Sequence, residues 1–123
     1  MITSKTNPQI KKIRQIMDFA KARRESGLFA VEGIRLVREV PPELLETVYI
    51  SSAAAKDHKT DDFPCRSEVV SEEIFSCISD TVSPQGILAL VRKPELEFPE
   101  EGILFLLLDD VRDPGNLGTM IRT

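Results

Sequence analysis

The amino-terminal third of the chain places apolar residues at the three- and four-residue spacing of a helix. The apolar positions are Ile10, Ile13, Met17 and Ala20. This spacing predicts an amphipathic helix with one buried face. Asn7-Pro8 is a favourable helix start, and Gly27 is a favourable stop. We therefore expect one helix of roughly five turns between these signals.

Short apolar runs separated by helical patterns follow this helix. The runs at residues 28–31, 47–50, 65–70 and 86–91 have the length of strands. Helical spacing over residues 34–40, a short helix over 52–56 and a helix beginning at Ser71 lie between them. The run 86–91 is apolar throughout, which predicts a central strand. Alternating strands and helices predict a three-layer α/β/α sandwich.

The pattern changes after residue 92. Residues 93–102 contain two prolines and four glutamates without periodicity, which indicates a linker. Residues 103–108 then predict a buried strand, 109–116 a loop and 117–123 a helix. We accordingly divide the chain into a domain at 1–92, a linker at 93–102 and the start of a second α/β domain at 103–123. One strand cannot form a sheet, so either this strand packs on the first domain or the second domain is truncated, and we expect the second domain to be truncated.

The net charge of -4 hides an uneven distribution of charges. Residues 1–24 contain seven basic residues and one acidic residue, a balance of +6, whereas the remaining residues have a balance of -10. A basic segment on an acidic body suggests an anionic partner, although a solvated helix face has the same pattern. The candidate phosphate contacts are Lys11, Lys12, Arg14, Arg23, Arg24 and Arg35.

Several classes of protein do not fit this sequence. No apolar stretch of about 20 residues is present, so we expect no membrane span. The first residues lack the apolar segment of a signal peptide, so we expect a cytoplasmic protein. Cys65 and Cys77 are isolated and His58 is the single histidine, so we expect no metal site.

Residues 106–123 have the features of an anion-binding strand, loop and helix. Ligands of open α/β sheets bind where strands end, and Gly115 and Gly118 would let a ligand approach the backbone. Arg122 would be a fixed cation on the helix. Neither a Walker loop nor a dinucleotide-binding fingerprint fits, because the lysine and the glycine spacing that they need are missing. A strand, turn and helix without any ligand is the alternative.

The run LDDVRDPGNLGTMIRT at residues 108–123 closely resembles motif 1 of the SpoU/TrmH family, whose usual pattern is LDxVxDPxNxGxxxRT. Residues 4–8, Arg23-Arg24 and residues 29–35 are similar to the opening of that family's substrate-binding domain. Residues 79–81 and 84–87 resemble its closing strand. The resemblance covers nearly the whole chain and is least diagnostic over about residues 41–70.

This resemblance implies a function in RNA modification. Family members transfer a methyl group from S-adenosylmethionine to a ribose 2'-hydroxyl of tRNA or rRNA. Their amino-terminal domain has a small ribosomal-protein-like α/β/α fold that binds structured RNA, and their trefoil-knotted catalytic domain forms a homodimer. The motif 1 arginine corresponds to Arg122 and the asparagine, which supports the active-site geometry, to Asn116. Because arginine stays protonated, we expect Arg122 to orient the hydroxyl and stabilise charge.

The same resemblance sets limits on this chain. The family's later motifs build the knot and most of the cofactor pocket, and residues 1–123 do not include them. We therefore expect the chain alone to bind no S-adenosylmethionine and to be inactive. Two other functions remain open: a stand-alone RNA-binding module without catalysis, and a nucleotide-binding or interaction protein that uses the Gly115–Gly118 loop.

Overall fold

A single four-stranded mixed sheet organises the fold in the computed structural model, which describes residues 1–97, 101 and 106–123. Its strands are β1 (Leu28–Glu32), β2 (Leu45–Ser51), β3 (Arg66–Val70) and β4 (Ile87–Arg92), in the order β1-β4-β2-β3. β4 runs antiparallel to β1 and β2, whereas β2 and β3 are parallel. β4, the last of the four strands in the sequence, therefore lies between β1 and β2, and the apolar run 86–91 predicts this central position.

Helices cover both faces of this sheet. They are α1 (Pro8–Asp18), α2 (Ala20–Ser26), α3 (Ile34–Glu39), α4 (Glu72–Ile78) and, beyond the sheet, α5 (Pro114–Arg122). Short 3-10 turns span Pro42–Leu44, Ala54–Lys56 and Thr60–Asp62. The Asn7 side chain caps α1 and the Ser71 side chain caps α4, each by accepting a backbone N–H. α1 and α4 pack on one face and α3 on the other, which confirms the three layers.

The central strand β4 is buried on both of its faces. Leu88 and Leu90 pack with α1 and α4, whereas Ile87, Ala89 and Val91 pack with α3. All five side chains are at most 2% exposed. Successive side chains of a strand point to opposite faces, so a strand between two helical layers needs apolar residues at every position. This requirement explains the uninterrupted apolar run.

The amino-terminal basic segment forms two helices, so the prediction of one continuous helix is wrong. α1 ends at Asp18, and Phe19 adopts an extended conformation with φ -123° and ψ 120° before α2 begins. Gly27 ends α2 in the left-handed conformation at φ 65°, as predicted. Because the axis changes at Phe19, Ala20 is exposed and leaves the apolar face. The sequence contains no proline or glycine at the break that would have indicated it.

The predicted second domain differs from expectation where the structure describes it. Leu106, Leu107 and Leu108 are exposed and belong to no strand, and residues 103–105 of the predicted strand lie outside the described residues. A strand is stable only beside another strand, and residues 106–108 pair with none of the other segments that the structure describes. Helix α5 begins at Pro114, three residues earlier than predicted, because the Asp113 side chain accepts the N–H of Gly115.

Two general properties can be stated for the part of the chain that the structure describes. None of its helices is both long and apolar enough to cross a membrane. It also brings together no group of three or more histidine, cysteine, aspartate or glutamate side chains that could hold a metal ion. Cys65 and Cys77 are free thiols and are partly exposed.

Candidate nucleic-acid interface

Lys11 and Lys12 on α1 are exposed and form no ion pair among the described residues. They point into different clefts. Lys11 lines a cleft with Arg14 and Cys77, between α1 and α4. Lys12 lines a cleft with Ser26, between α1 and α2. The basic surface of α1 therefore extends to both sides of the helix.

Arg14 is held by two carboxylates. Its guanidinium lies 2.6 Å from Asp18 on the same helix and 3.3 Å from Asp80, which follows α4. All three side chains are more than a third exposed, so each pair contributes at most about 1 kcal/mol. A phosphate would have to compete with these carboxylates. The contact with Asp80 also joins α1 to the loop between α4 and β4.

Arg23 stabilises the fold through contacts with α1. Its Nη1 donates hydrogen bonds to the carbonyl oxygens of Ile16, at 2.8 Å, and Met17, at 2.9 Å. These carbonyls belong to the last turn of α1, where helix geometry leaves backbone oxygens without partners. Arg23 thus caps α1 from the following helix and is not a freely available cation.

Arg24 and Arg35 complete the set of candidate cations. Both are exposed, and neither makes a hydrogen bond or ion pair among the described residues. Of the six predicted phosphate contacts, four are therefore uncommitted cations. These are Lys11, Lys12, Arg24 and Arg35.

The Glu32 carboxylate organises a loop cluster at the end of β1. It accepts hydrogen bonds from the Ser79 and Thr81 hydroxyls, both at 2.6 Å, and a longer one from the Asp80 N–H. The separate sequence segments 29–35 and 79–87 thereby meet at one place. Arg14 reaches the same loop through Asp80, so the basic face of α1 adjoins this cluster.

Gly33 and Gln85 fix the other side of the cluster. Gly33 has φ 96°, and a Cβ there would lie 3.1 Å from Gln85 Oε1. That oxygen accepts the N–H of Ile34, at 3.2 Å. Gly33 therefore forms the turn from which α3 begins, and this role is structural. The two segments enclose a cavity of about 310 Å³ lined by Glu32, Gly33, Arg35, Leu36, Thr81, Ser83 and Gln85.

Phe19 is a candidate that the sequence analysis missed. Its side chain is 61% exposed at the break between α1 and α2, and it lines a shallow cleft with Lys21. Glu25 lines the same cleft and pairs with Lys21 at 3.7 Å. A solvent-exposed aromatic ring can stack on an unpaired base. The sequence gives one indication of this exposure. Phe19 does not belong to the apolar face predicted for the first helix, and it lies among the basic residues of the amino-terminal segment.

The predicted catalytic residues lie on α5. Asn116 is in its first turn and Arg122 is its last residue, and both are exposed. Six residues along a helix correspond to a rotation of about 240°, so the two side chains do not share a face. The structure therefore does not assemble these residues into one site.

The described residues do not form a pocket for S-adenosylmethionine near motif 1. Every residue from 106 to 116 is exposed. Asp110 and Arg112 pair with each other at 2.8 Å on the surface. An adenosine-sized ligand needs a concave, mostly apolar cavity, which an exposed segment does not supply. No catalytic step can be derived from this part of the chain.

Two carboxylates at the start of α4 have lowered pKa values. The Ala53 N–H donates to Glu72 at 2.6 Å, and this hydrogen bond lowers the pKa of Glu72. Lys5 lies 2.8 Å from Glu73 and lowers the pKa of that carboxyl through a hydrogen bond. Lys5 is therefore engaged with an acid, although it belongs to the basic segment.

Comparison with known proteins places this chain beside RNA methyltransferases. The family model described as the MRM3-like substrate binding domain matches residues 7–89. The chain is 32% identical over 126 residues to the 23S rRNA (guanosine(2553)-2'-O)-methyltransferase RlmP of Bacillus subtilis, a match that covers 99% of this chain and 49% of that protein. It thus spans about half the length of this relative.

Solved structures show the same relationship. A protein of the TrmH family from Porphyromonas gingivalis superposes with a TM-score of 0.76 and 32% identity, over 99% of this chain and 47% of that one. An AdoMet-bound rRNA methyltransferase from Sinorhizobium meliloti gives a TM-score of 0.71 and 31% identity, over 98% of this chain and 48% of that one. The likeness confirms the resemblance to the SpoU/TrmH group and the α/β fold.

Proposed function

Because the chain belongs to the MRM3-like substrate-binding domain family, we propose that it is the RNA-binding part of an S-adenosylmethionine-dependent RNA 2'-O-ribose methyltransferase. The family match over residues 7–89 is the observation that supports this proposal most strongly. Its substrate is a structured rRNA or tRNA. The cytoplasm, where bacterial ribosomal RNA is made and modified, is the proposed location.

The uncommitted cations supply the affinity for RNA. Lys11, Lys12, Arg24 and Arg35 lie on α1, α2 and α3 and are not neutralised by acids among the described residues. Phosphate contacts from several such cations dominate binding to nucleic acids. Arg14 adds to this surface when a phosphate displaces Asp80. Arg23 acts only indirectly, because it holds α1 in place.

Phe19 supplies a contact of a different kind. Its exposed ring offers a stacking surface at the α1–α2 break. Stacking of a base on an aromatic side chain contributes about 1–3 kcal/mol and tolerates any base. In this proposal the cations position the RNA backbone while Phe19 holds an unpaired base.

Catalysis belongs to the second part of the protein. We assign residues 1–92 to RNA binding, 93–102 to a linker and 103–123 to the start of the methyltransferase domain. Arg122 orients the ribose hydroxyl and Asn116 supports the geometry once the rest of that domain surrounds α5. The remaining half of the relatives' length would provide the cofactor pocket and the homodimer surface. The alternative, a stand-alone RNA-binding module, requires no role for Arg122.

Matched lysine variants test the RNA-binding proposal. The double variant Lys11→Ala/Lys12→Ala removes two uncommitted cations from α1. The control Lys56→Ala/Lys59→Ala removes two exposed lysines from the loop after β2. We expect the first variant to bind a structured rRNA fragment about tenfold more weakly at low salt, and the control to bind almost normally. Equal losses in both variants would show only a general effect of charge and contradict an interface on α1.

A further inference from the structure

Hydrogen bonds between distant segments frame the cavity between Gly33 and Gln85. Glu32 holds the loop at residues 79–81 through hydrogen bonds to two hydroxyls and one backbone N–H. Gln85 Oε1 holds the first residue of α3. These contacts join segments about 50 residues apart in the sequence, so the cavity is part of the folded structure. Its volume of about 310 Å³ lies at the lower end of the range for ligand pockets.

Several hydrogen-bond donors that have no acceptor among the described residues line this cavity. Gln85 Oε1 accepts the Ile34 N–H, and the amino group of the same side chain makes no hydrogen bond within the described part of the chain, so its two N–H donors are available. The Arg35 guanidinium and the Ser83 hydroxyl make no hydrogen bond among the described residues. Leu36, which is 54% exposed, adds an apolar wall. Glu32 also lines the cavity, and its carboxylate is occupied by the Ser79, Asp80 and Thr81 donors. The cavity therefore fits a small ligand that is rich in acceptors, presents one flat apolar surface and places its negative charge at Arg35.

We propose that this cavity takes one unstacked nucleotide of the bound RNA. Arg35 would contact a phosphate, the Gln85 amino group would donate to a base carbonyl or ring nitrogen, and the base would lie against Leu36. Proteins read RNA sequence mainly on bases that leave the stack. The inference rests on the proposed function and adds a specificity-determining site to it. Arg35 is also one of the four uncommitted cations, and the contact of Arg14 with Asp80 links α1 to the loop that lines the cavity, so a bound RNA strand can reach both.

Gln85→Glu and Leu36→Trp test the site in different ways. Gln85→Glu keeps the acceptor for the Ile34 N–H but replaces the two free donors by an anionic oxygen. Leu36→Trp fills the cavity from an exposed position, so the fold should tolerate it. Ser76→Glu, on the exposed side of α4, is the control for one added negative charge. Urea unfolding of each variant establishes that the fold is retained.

Binding is measured with an RNA hairpin that has an unpaired loop and with a fully paired RNA duplex. We expect Gln85→Glu and Leu36→Trp to bind the hairpin about tenfold more weakly than the parent protein. Their binding to the duplex, and Ser76→Glu binding to either RNA, should change less than twofold. Unchanged hairpin binding by both folded cavity variants would overturn the nucleotide site, while leaving the RNA-binding function intact. Failure of the parent protein to bind any RNA would instead overturn the proposed function.

A second arm distinguishes a nucleotide within RNA from a free nucleotide. The four nucleoside 5'-monophosphates are titrated into ¹⁵N-labelled protein, and the amide signals of Gly33 and the Gln85 side chain are followed. We expect shifts only at millimolar concentration, and much earlier shifts of the same signals with the hairpin. Saturation by a monophosphate at micromolar concentration, with no response to the hairpin, would contradict the proposal and identify a site for free nucleotides.

Discussion

Arg23 and Arg24 are neighbours on α2 but have different surroundings. The Arg23 guanidinium donates to two carbonyl oxygens of α1, whereas Arg24 is exposed and unpaired among the described residues. A cation that caps a helix contributes to stability, and an exposed cation contributes to the binding of anions. In our proposal the same residue type therefore has two functions in one turn of helix.

Replacing each arginine separates these functions. Arg23→Ala leaves the end of α1 without its charged donor, so we expect the free energy of unfolding to fall by about 1–3 kcal/mol. Arg24→Ala should change it by less than about 0.5 kcal/mol and should weaken RNA binding instead. Urea unfolding at pH 7, combined with an RNA titration, measures both effects. Equal stability of the two variants would contradict the capping role of Arg23.

The roles of single residues are only partly predictable from the sequence. The sequence shows that basic residues are concentrated near its amino terminus, because charge and position are visible in it. It does not distinguish Arg23 from Arg24, since that difference depends on the break at Phe19, which directs Arg23 toward the α1 carbonyls. The Glu32 contacts join residues 47 to 49 positions apart in the chain. A local sequence pattern does not indicate which residues so far apart will be in contact.

At the scale of elements, Glu72 connects the start of α4 to the segment after β2. Its Oε1 accepts the Ala53 N–H at 2.6 Å and the Ser52 hydroxyl at 3.0 Å. The hydrogen bond from Ala53 favours the ionised carboxylate and lowers its pKa in the folded protein. An unfolded glutamate has a pKa of about 4.3, so the unfolded chain binds the proton first as pH falls.

This linkage predicts an acid-dependent loss of stability. The contribution of Glu72 is fully present above the unfolded pKa and is lost as pH falls through the lower folded pKa. We expect Glu72→Gln to be less stable than the parent protein at pH 7, and the difference to shrink below about pH 4. Urea midpoints at several pH values measure this change. Glu95→Gln, in the exposed residues 93–97, is the control, because it removes the same charge from a side chain that makes no hydrogen bond among the described residues.

The elements that are readily predicted are those whose structural requirements leave a local pattern in the sequence. β4 is readily predicted because burial on both faces requires apolar residues throughout. α4 is readily predicted because Ser71 caps it and acids follow in its first turn. The apolar residues 106–108 mislead, since an apolar run indicates burial only where a partner surface exists. Residues 106–108 are exposed here, and their sequence does not indicate which surface would cover them.

In the whole molecule, a folded part that matches a substrate-binding domain family contrasts with an exposed segment at residues 106–116. The sheet and its two helical layers bury the core of residues 1–92. Residues 106–116 are exposed throughout. This contrast explains why we assign binding of RNA to the first part and place the chemistry in a domain that residues 103–123 only begin.

The cofactor provides a direct test of this division. We expect the 123-residue chain to bind no S-adenosylmethionine at micromolar concentration and to transfer no methyl group to RNA, because the motif 1 residues enclose no cavity. Calorimetric titration of the cofactor measures the first property, and incorporation of a labelled methyl group measures the second. Micromolar binding of the cofactor to this chain would contradict the division. A cofactor-binding SpoU/TrmH enzyme serves as the positive control.

The most direct test of the central claim is the affinity of the chain for labelled rRNA fragments, tRNA and duplex DNA across a salt series. We expect tighter binding to a structured RNA than to the DNA. We also expect the affinity for RNA to fall steeply as salt rises, with a slope of about 0.7 to 0.9 for each phosphate contact. Absence of binding to every RNA at low salt, or equal binding to RNA and DNA, would contradict an RNA-recognition domain.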